Sequence, residues 1–323
     1  MERNNQTFAY LILEGISKTP ELQLPVFLLL LTIYLTTLGG NLLIFLVACL
    51  DPHLQTPMYF FLRNLSLVDV CYSSDTLLGA LLAFMSGRNA VSFPSCMAQL
   101  YCFMSLVAIE ISILTAMSYD RYVAVCSPLR YQAVMSGRVC VTLASVCWAL
   151  GFVEAVPYIS IYAGFSCFKS NRVNHFFCDL SALMDISCDD TAFLRNVVFY
   201  ESIFSGFIPF FLTFLSYSYI IGAVAAVRSQ PGRRKAFYTC GSHLTVVALF
   251  YVTLFCQYLK AAPPAPDSGK FLSLLYTALV PMLNPLIYSL KNKDVKSALR
   301  RGLSKAKTRR RHPRGPTRLT TRG

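Results

Sequence analysis

Two charged residues stand side by side at the end of a long apolar run, in the stretch SYDRYVAVC (118–126). The run 89–119 contains one charged residue, Glu110, before Asp120 and Arg121 follow. Charged groups in membrane-length segments are costly, and they often mark ion paths, proton relays or switches. Adjacent helix residues point about 100° apart, so we expect Asp120 and Arg121 not to face each other as an i,i+4 pair would. Either Arg121 only anchors its helix end at the membrane interface, or it has a functional role there.

Two further acids, Asp69 and Glu110, lie in the middle of apolar runs. Acids that share one site repel each other, so we expect them to share a proton or a cation. Glu110 and Arg121 are eleven residues apart, roughly 16 Å along a helix, and are too distant to pair. A transporter with a proton or ion path is the alternative, but the sequence shows no inverted repeat.

Seven apolar runs indicate a membrane protein. Charged residues make up 14% of the sequence, whereas soluble domains carry about 25%. Each run is long enough for the roughly 20 residues that span a bilayer, and none alternates as barrel strands do. The runs are 22–50, 64–84, 89–119, 139–168, 196–227, 236–259 and 271–290. The predicted fold is an all-α bundle of seven transmembrane helices.

Most of the net positive charge lies in the C-terminal tail. Residues 291–323 hold thirteen Lys or Arg and one acid, which predicts a cytoplasmic tail by the positive-inside rule. The apolar positions 295, 298, 299 and 303 suit a short amphipathic helix on the membrane. Basic clusters can bind nucleic acid, but for a membrane protein attraction to anionic lipid is the simpler expectation.

Seven crossings place the N-terminus outside the cell, where Asn5 begins a glycosylation sequon. Residues 1–21 are too polar for a cleavable signal peptide, so the first helix is expected to act as the signal anchor. We therefore divide the chain into an extracellular N-terminus (1–24), a seven-helix domain (25–290) and a cytoplasmic tail (291–323).

Four of the twelve cysteines fall in segments predicted to lie outside: Cys96, Cys167, Cys178 and Cys188. That compartment is oxidising, and four cysteines allow three pairings, which spacing does not distinguish. A metal site at His175 and Cys178 is a rival, but no C-x-x-C or H-x-x-x-H partner is near, so we expect no metal. The other eight cysteines are expected to be free thiols.

Five motifs stand in order on successive runs. They are PMYFFLRNLSLVD (57–69), AMSYDRYVAVCSPLRY (116–131), SY (216–217), KAFYTCGSHL (235–244) and PMLNPLIYSLKN (281–292). Together they resemble the motifs of vertebrate olfactory receptors, which are rhodopsin-like (class A) G-protein-coupled receptors. The resemblance runs from about residue 22 to residue 303 and implies the disulfide pairings Cys96–Cys178 and Cys167–Cys188.

The resemblance implies a plasma-membrane odorant receptor that binds a small volatile ligand, activates a stimulatory, olfactory-type heterotrimeric G protein and raises cAMP. In that family the arginine at this position is restrained at rest and meets the G protein once the sixth helix swings out. The implied coupling residues are Asp120, Arg121, Tyr122, Tyr217, His243, Asn284, Pro285 and Tyr288. The implied polar core is Asn41, Asp69 and Glu110, where related receptors hold a sodium ion or a water network with Asn284.

Two of these residues have alternative interpretations. Pro285 breaks a backbone hydrogen bond beside Tyr288 and suits a hinge, although prolines are common in membrane helices. His243 could sense pH, but a neutral, hydrogen-bonded histidine is the expected state.

The implied ligand site lies between the outer halves of the helices and is mostly apolar, as is usual for small-molecule sites. Its residues are Phe103, Met104, Val107, Ala108, Leu180, Glu201, Ser202, Ser205, Tyr251, Leu254, Tyr258 and Thr277. Glu201 is the unusual member: it could receive a hydroxyl or amine, face water, or pair with Arg195.

The chain departs from the family pattern at Tyr238, where serine is usual, and at Val252, where glycine is usual; Val252 is expected at the floor of the pocket. An enzyme has no support, because the sequence shows no nucleophile–base set, phosphate loop or metal set. The same receptor type sensing a metabolite outside the olfactory epithelium is the alternative function.

Overall fold

The computed structural model describes residues 8–16, 19–227, 229–258, 268–291, 294–301 and 304. Within these ranges, the side chains of 231–232, 234–239, 254–258, 268, 271 and 289–291 are not described. Asn5 therefore lies outside the described residues, and the side chains of Tyr238, Leu254 and Tyr258 do as well.

Long helices make up most of the described chain. They are α1 (Pro20–Leu50), α2 (Pro57–Ser86), α3 (Phe93–Cys126), α4 (Gly137–Ala163), α5 (Ala192–Ala226), α6 (Gln230–Tyr258) and α7 (268–291). A single π-helical turn interrupts α2 at Ser74–Leu78, α5 at Ser202–Phe207 and α7 at Leu275–Leu279. Such turns rotate the helix face that follows them and are frequent at functional sites.

The helix ends follow local sequence signals rather than the limits of the apolar runs. The helix α2 begins at Pro57, seven residues before the predicted run, because proline suits the first turn and Arg63 does not interrupt a helix. The prediction that the third helix starts at residue 89 was wrong, because α3 begins at Phe93. There Ser92 accepts a bond from the Ser95 amide (3.2 Å) and caps α3, and Pro94 follows in its first turn.

Three short strands form one sheet in the described part of the chain. The strand β1 (Tyr10–Leu13) lies in the middle, antiparallel to β2 (Ala90–Ser92) and parallel to β3 (Arg172–Val173). The sheet joins the N-terminal segment to the α2–α3 connection and to the loop between α4 and α5. That loop also contains a short helix, Leu180–Ile186, capped by the Asp179 side chain.

Among the described residues, five helices (α1 to α5) are long and apolar enough to cross a membrane. Two further apolar helices, Cys240–Thr253 in α6 and Leu272–Tyr288 in α7, are shorter. The helical class is thus confirmed, and the count of seven spans stays a prediction. In the most apolar window of α3, 61% of residues are buried, against 22–39% in the other four, so α3 is the centre of the bundle.

The two ends of the bundle differ in their chemistry. We call the end with the sheet and the pairs Cys96–Cys178 and Cys167–Cys188 the disulfide end. The end with Asp120 and Arg121 is the arginine end, and residues 294–301 form a helical segment there. This segment buries Val295 and Ala298 against the bundle core, with Leu299 packed beside them, which is the apolar spacing found in the sequence.

Candidate functional site

Arg121 is held by the acid that precedes it. Its Nη2 and Nε atoms donate to Asp120 Oδ2 at 2.9 and 3.1 Å. The expectation that the two residues do not face each other is therefore wrong. Their Cα–Cβ bonds do diverge, but the long arginine side chain turns back and brings its guanidinium to the carboxylate. Asp120 is fully buried, so the arginine is bound to an acid that water does not reach.

Tyr131 completes this cluster from the loop that follows α3. Its hydroxyl donates to Asp120 Oδ1 at 2.7 Å, so both carboxylate oxygens are occupied. Burial, together with the neighbouring Asp120 carboxylate, raises the pKa of Tyr131 above its usual range, which keeps the phenol protonated as a donor. Tyr131 is the last residue of the second motif, but the sequence predicts no role for it. Only the folded chain brings it to Asp120.

Four of the other predicted coupling residues lie around the arginine, whereas Asn284 and Pro285 lie in the polar core and against α1. The Tyr217 hydroxyl and His243 Nδ1 lie 2.5 Å apart, and both side chains are buried. Tyr122 packs on the cluster that contains Tyr217, and the charge of Arg121 acts on Tyr217, His243 and Tyr288. The structure therefore brings residues from α3, α5, α6 and α7 together at the arginine end.

The predicted polar core is also assembled. Asn284 Nδ2 donates to both Asp69 carboxylate oxygens, at 3.0 and 3.2 Å. Glu110 is buried close enough to Asp69 for their charges to interact. Asn41 Nδ2 donates to the Pro281 carbonyl at 3.0 Å and joins α1 to α7. Among the described residues, no group of three or more His, Cys, Asp or Glu could hold a metal ion.

The close approach of α1 and α7 depends on a glycine. A Cβ atom at Gly40 would lie 2.9 Å from Pro285 Cγ, so only glycine fits at this crossing. The predicted hinge proline therefore packs directly on α1, beside the Asn41 bond to Pro281.

Both predicted disulfides are present at the disulfide end. Cys96 is bonded to Cys178 and Cys167 to Cys188, as the family resemblance implies. The sulfur of Cys178 is thus occupied, which removes the thiolate that the metal alternative requires. The other cysteines whose side chains are described are free: Cys49, Cys71, Cys102, Cys126, Cys140, Cys147 and Cys240.

Gln99 is a residue that the sequence analysis missed. Its Oε1 accepts from the Cys178 amide at 2.9 Å, and its Nε2 donates to the Asp75 carbonyl at 2.6 Å. One side chain of α3 thereby holds the loop cysteine and α2. A polar residue three positions after Cys96 in an otherwise apolar run was the available signal.

The predicted ligand residues on α3 lie next to the buried loop. Phe103 is buried, and its ring centroid lies 4.8 Å from that of Phe177 and 6.2 Å from that of Tyr276. Met104 packs between the main core and the core of the disulfide end, to which Leu180 belongs. Nearby on α3, Val107 is half-buried and Ala108 is buried.

The predicted ligand residues on α5 lie at its π-helical turn. The Ser202 hydroxyl donates to the Val198 carbonyl at 2.6 Å, and the Ser205 hydroxyl to the Glu201 carbonyl at 2.8 Å. The half-buried Glu201 lies near Glu154 of α4, and the two charges interact. Arg195, the alternative partner of Glu201, donates instead to the Thr191 hydroxyl at 3.0 Å.

On α6 and α7, Tyr251 is buried and close to Thr115 and Thr213. Thr277 is buried and donates to the Ser273 carbonyl at 2.7 Å. Val252 is 60% exposed, so the expectation that it forms the pocket floor is wrong. The residue occupies the outer surface of α6, next along the helix from the inward-facing Tyr251.

Comparison with known proteins gives one consistent result. The sequence profile of the olfactory receptor family matches residues 30–306. Human olfactory receptor 8D1 is 44% identical over 303 residues, covering 93% of this chain and 98% of the relative. Mouse olfactory receptor 8U3 is 43% identical, covering 91% and 92%. Human olfactory receptor 8B12 is also 43% identical, covering 94% and 99%. The chain therefore belongs to the olfactory receptor family, whose members are multi-pass plasma-membrane receptors rather than enzymes.

Proposed function

We propose that this protein binds a small volatile organic ligand at the disulfide end and activates a stimulatory, olfactory-type G protein at the arginine end, raising cAMP. The observation that carries the proposal is the Asp120–Arg121–Tyr131 cluster. It holds an arginine in a buried ion pair next to α5, α6 and α7, where a helix movement would release it. Helix shifts that exchange such contacts are a common form of switch.

The proposed topology has seven spans. The shorter apolar helices in α6 and α7 join the five long ones, so the termini lie on opposite sides of the membrane. The basic tail 291–323 supports a cytoplasmic arginine end by the positive-inside rule, with the disulfides in the oxidising space outside. Residues 1–24 are extracellular, Asn5 carries the glycan, and 25–290 form the membrane domain.

The proposed ligand site is bounded by α3, α5, α6, α7 and the loop before α5. Phe103, Met104, Val107, Ala108, Leu180 and Tyr251 supply apolar surface. Glu201, Ser202, Ser205 and Thr277 supply polar groups, and Leu254 and Tyr258 belong to the proposed site on the family resemblance alone. This composition suits an aliphatic or aromatic molecule that carries a hydroxyl, carbonyl or amine.

Asp69 and Glu110 are proposed to hold a sodium ion or to share a proton at rest. The two buried acids interact, and Asn284 satisfies only one of them. A cation or proton between them reduces the repulsion between two carboxylates in a low dielectric. A movement of α7 would change the Asn284–Asp69 bond and the contact between Pro285 and Gly40 at the same time. Tyr288 lies on the same helix, so the movement would reach it as well.

Activation is then a shift between two arrangements. The ligand binds the open arrangement more tightly than the resting one and shifts the population by that difference. The G protein binds the open arginine end, so ligand and G protein strengthen each other's binding by the same factor.

The test is cAMP accumulation in cells expressing the chain, challenged with a panel of aliphatic and aromatic alcohols, aldehydes, ketones and amines. The variant Arg121→Ala is compared with Arg138→Ala, which removes an exposed arginine at the start of α4. We expect a response in wild type and Arg138→Ala, and none in Arg121→Ala at equal surface expression. A normal response in Arg121→Ala would refute the coupling role.

A further inference from the structure

A cavity of about 430 Å³ lies between the first two helices at the disulfide end. It is bounded by α1, by the last part of α2 and by residues 13–16, which are the end of β1 and the residues after it. None of the predicted ligand residues whose side chains are described lines it. It is therefore a second space, separate from the proposed ligand site.

The inner part of this cavity is apolar. Leu30, Leu81 and Phe176 are buried and form its floor. The rings of Phe27 on α1 and Phe84 on α2 stack at 4.5 Å, and Phe84 is 40% exposed, so this wall faces the surroundings of the bundle. The room between the helices comes from small residues of α2, which are Gly79, Ala80 and Ala83.

The other side of the cavity is polar. Glu14, Gln23 and Asn89 line it, with one carboxylate and two amides. Gln23 and Asn89 are exposed, whereas the floor is not. Backbone bonds at the sheet hold the segments that carry Glu14 and Asn89, because the Leu13 amide donates to the Asn89 carbonyl at 2.9 Å and the Glu14 amide to the Val173 carbonyl at 3.0 Å, while Gln23 belongs to α1. The lining is thus amphipathic, with hydrogen-bonding groups at one side and hydrocarbon at the other.

We propose that this cavity is a second binding site, for a small neutral amphiphile with a hydrocarbon body and a hydroxyl head. A hydroxyl group can donate a hydrogen bond to a carboxylate or an amide oxygen and can accept one from an amide N–H. It therefore matches the polar side of the cavity. The volume is within the range of small-molecule pockets, roughly 300–1,000 Å³, and is too small for a complete bilayer phospholipid. The hydrocarbon body would lie against the stacked phenylalanine wall, on the side that faces the membrane in the proposed topology.

The site also contacts the loop that packs on the proposed ligand residues. Phe176 lines the cavity and its ring centroid lies 4.9 Å from that of Phe177, which contacts Phe103. A ligand in the second site would touch Phe176 but not Phe103. The two are connected by the ring contacts Phe176–Phe177 and Phe177–Phe103.

The experiment uses the purified full-length protein in phosphatidylcholine nanodiscs. The probe is a decanol analogue with a diazirine on its chain and a terminal alkyne, and labelled residues are located by mass spectrometry after irradiation. We expect labels on the cavity-lining parts of α1 and α2, displaced by excess decanol. Ala83→Trp fills the cavity and should reduce this labelling at least fivefold.

Leu82→Trp is the matched control, because Leu82 is 53% exposed, neighbours Ala83 and does not line the cavity. It should label like wild type. Ala80→Leu fills the space only partly and should give an intermediate decrease, which keeps the test valid if Ala83→Trp does not fold. Thermal unfolding of each variant identifies loss of fold.

Two results would overturn the proposal. The first is labelling that is spread over the outer surface, is equal in wild type and Ala83→Trp, and is not displaced by decanol. It would mean that the probe only partitions into the bilayer. A probe of the same length without the hydroxyl should label the cavity at least threefold less; equal labelling would refute the assigned head group. Neither result depends on G-protein coupling.

Discussion

The disulfide end and the arginine end of this receptor are held together by different kinds of bond. At the disulfide end, two covalent bonds and the backbone bonds of a sheet fix the N-terminal segment and the loop before α5. At the arginine end, the corresponding contacts are side-chain bonds around one buried acid, Asp120. One end resists rearrangement, and the other is held by bonds that helix movement can exchange.

The difference has an energetic basis. Closing a loop with a disulfide stabilises a fold by typically 2–4 kcal/mol, and the bond persists through any movement of the helices. A buried ion pair contributes little net stability, but losing one partner costs about 3–5 kcal/mol. The pair is therefore stable while intact and sensitive to anything that offers Arg121 another partner. Four predictions test this contrast, from the largest expected effect to the smallest.

Removing the disulfide between α3 and the loop should have the largest effect. Cys96→Ser opens a bond between residues 82 positions apart, which corresponds to about 4.5 kcal/mol of chain entropy. We expect surface labelling of intact cells to fall to background, and Cys178→Ser or the double variant to behave alike. Cys71→Ser, which removes a free and exposed thiol, is the control. Surface labelling of Cys96→Ser at the wild-type level would show that the disulfide end does not depend on this bond.

Neutralising Asp120 should have the next largest effect, and on activity rather than delivery. Asp120→Asn leaves Arg121 without its buried counter-charge, so the resting arrangement loses part of the 3–5 kcal/mol quoted above for a broken pair. We expect ligand-independent cAMP to rise at least fivefold per receptor at the surface. Asp190→Asn removes an exposed acid at the disulfide end and should leave basal cAMP unchanged. Unchanged basal cAMP in Asp120→Asn would show that the ion pair does not restrain the receptor.

Removing the hydroxyl of Tyr131 should have a smaller effect in the same direction. Tyr131→Phe deletes one bond to a charged acceptor, worth about 1.5 kcal/mol, which is less than the 3–5 kcal/mol for a broken buried pair. Basal cAMP should rise less than in Asp120→Asn, and the double variant should add little to Asp120→Asn alone because both act on one carboxylate. Tyr119→Phe, on the exposed face of α3, is the control. Additive effects would mean that Tyr131 acts elsewhere.

The smallest effect concerns the ion pair between Asp51 and Arg301, which ties the α1–α2 connection to the helical segment 294–301. Their closest atoms lie 2.9 Å apart. Hydrogen bonds from Arg301, and then from the His53 amide, lower the pKa of Asp51 to about 2. The stabilisation is therefore fully present above the ordinary aspartate pKa and is lost as the pH falls towards 2. Because the Arg301 side chain is 38% exposed, solvent screens the pair and its contribution is small.

Thermal unfolding of purified protein tests this prediction. The melting temperature of wild type should exceed that of Asp51→Asn by the same small amount at pH 7.5 and pH 5, and the gap should narrow at pH 3.5. Arg301→Gln should reproduce Asp51→Asn. A gap that widens below pH 5 would contradict the assigned ion pair.

The sequence predicted what depends on hydrophobicity and on recurrent motifs. The apolar runs located α1 to α7, and family resemblance supplied both disulfides and the residues gathered around Arg121. Helix limits were less accurate, because hydropathy does not register a capping serine at Ser92 or a helix that continues through Arg63. These are local hydrogen-bonding effects on a scale of one turn.

The sequence could not predict contacts that depend on tertiary geometry. The return of Arg121 to Asp120, the bond from Tyr131 and the dual role of Gln99 each require the path of a neighbouring element. Val252 illustrates the same limit, since a motif position does not state which side of α6 faces the interior. The sheet was missed because its strands are at most four residues long and pair across distant parts of the chain.

The position of β1 in the middle of that sheet has a consequence for the order of assembly. Ile12 pairs with Arg172, so the first strand to leave the ribosome waits for a partner that is made 160 residues later. At ~5–20 residues per second of translation, this delay is on the order of 10–30 s. During that time the strand edge and the reduced Cys96 are both without their final partners. The disulfide end therefore closes only after all of the first four helices have been synthesised, and slower translation between α2 and α5 lengthens its exposure.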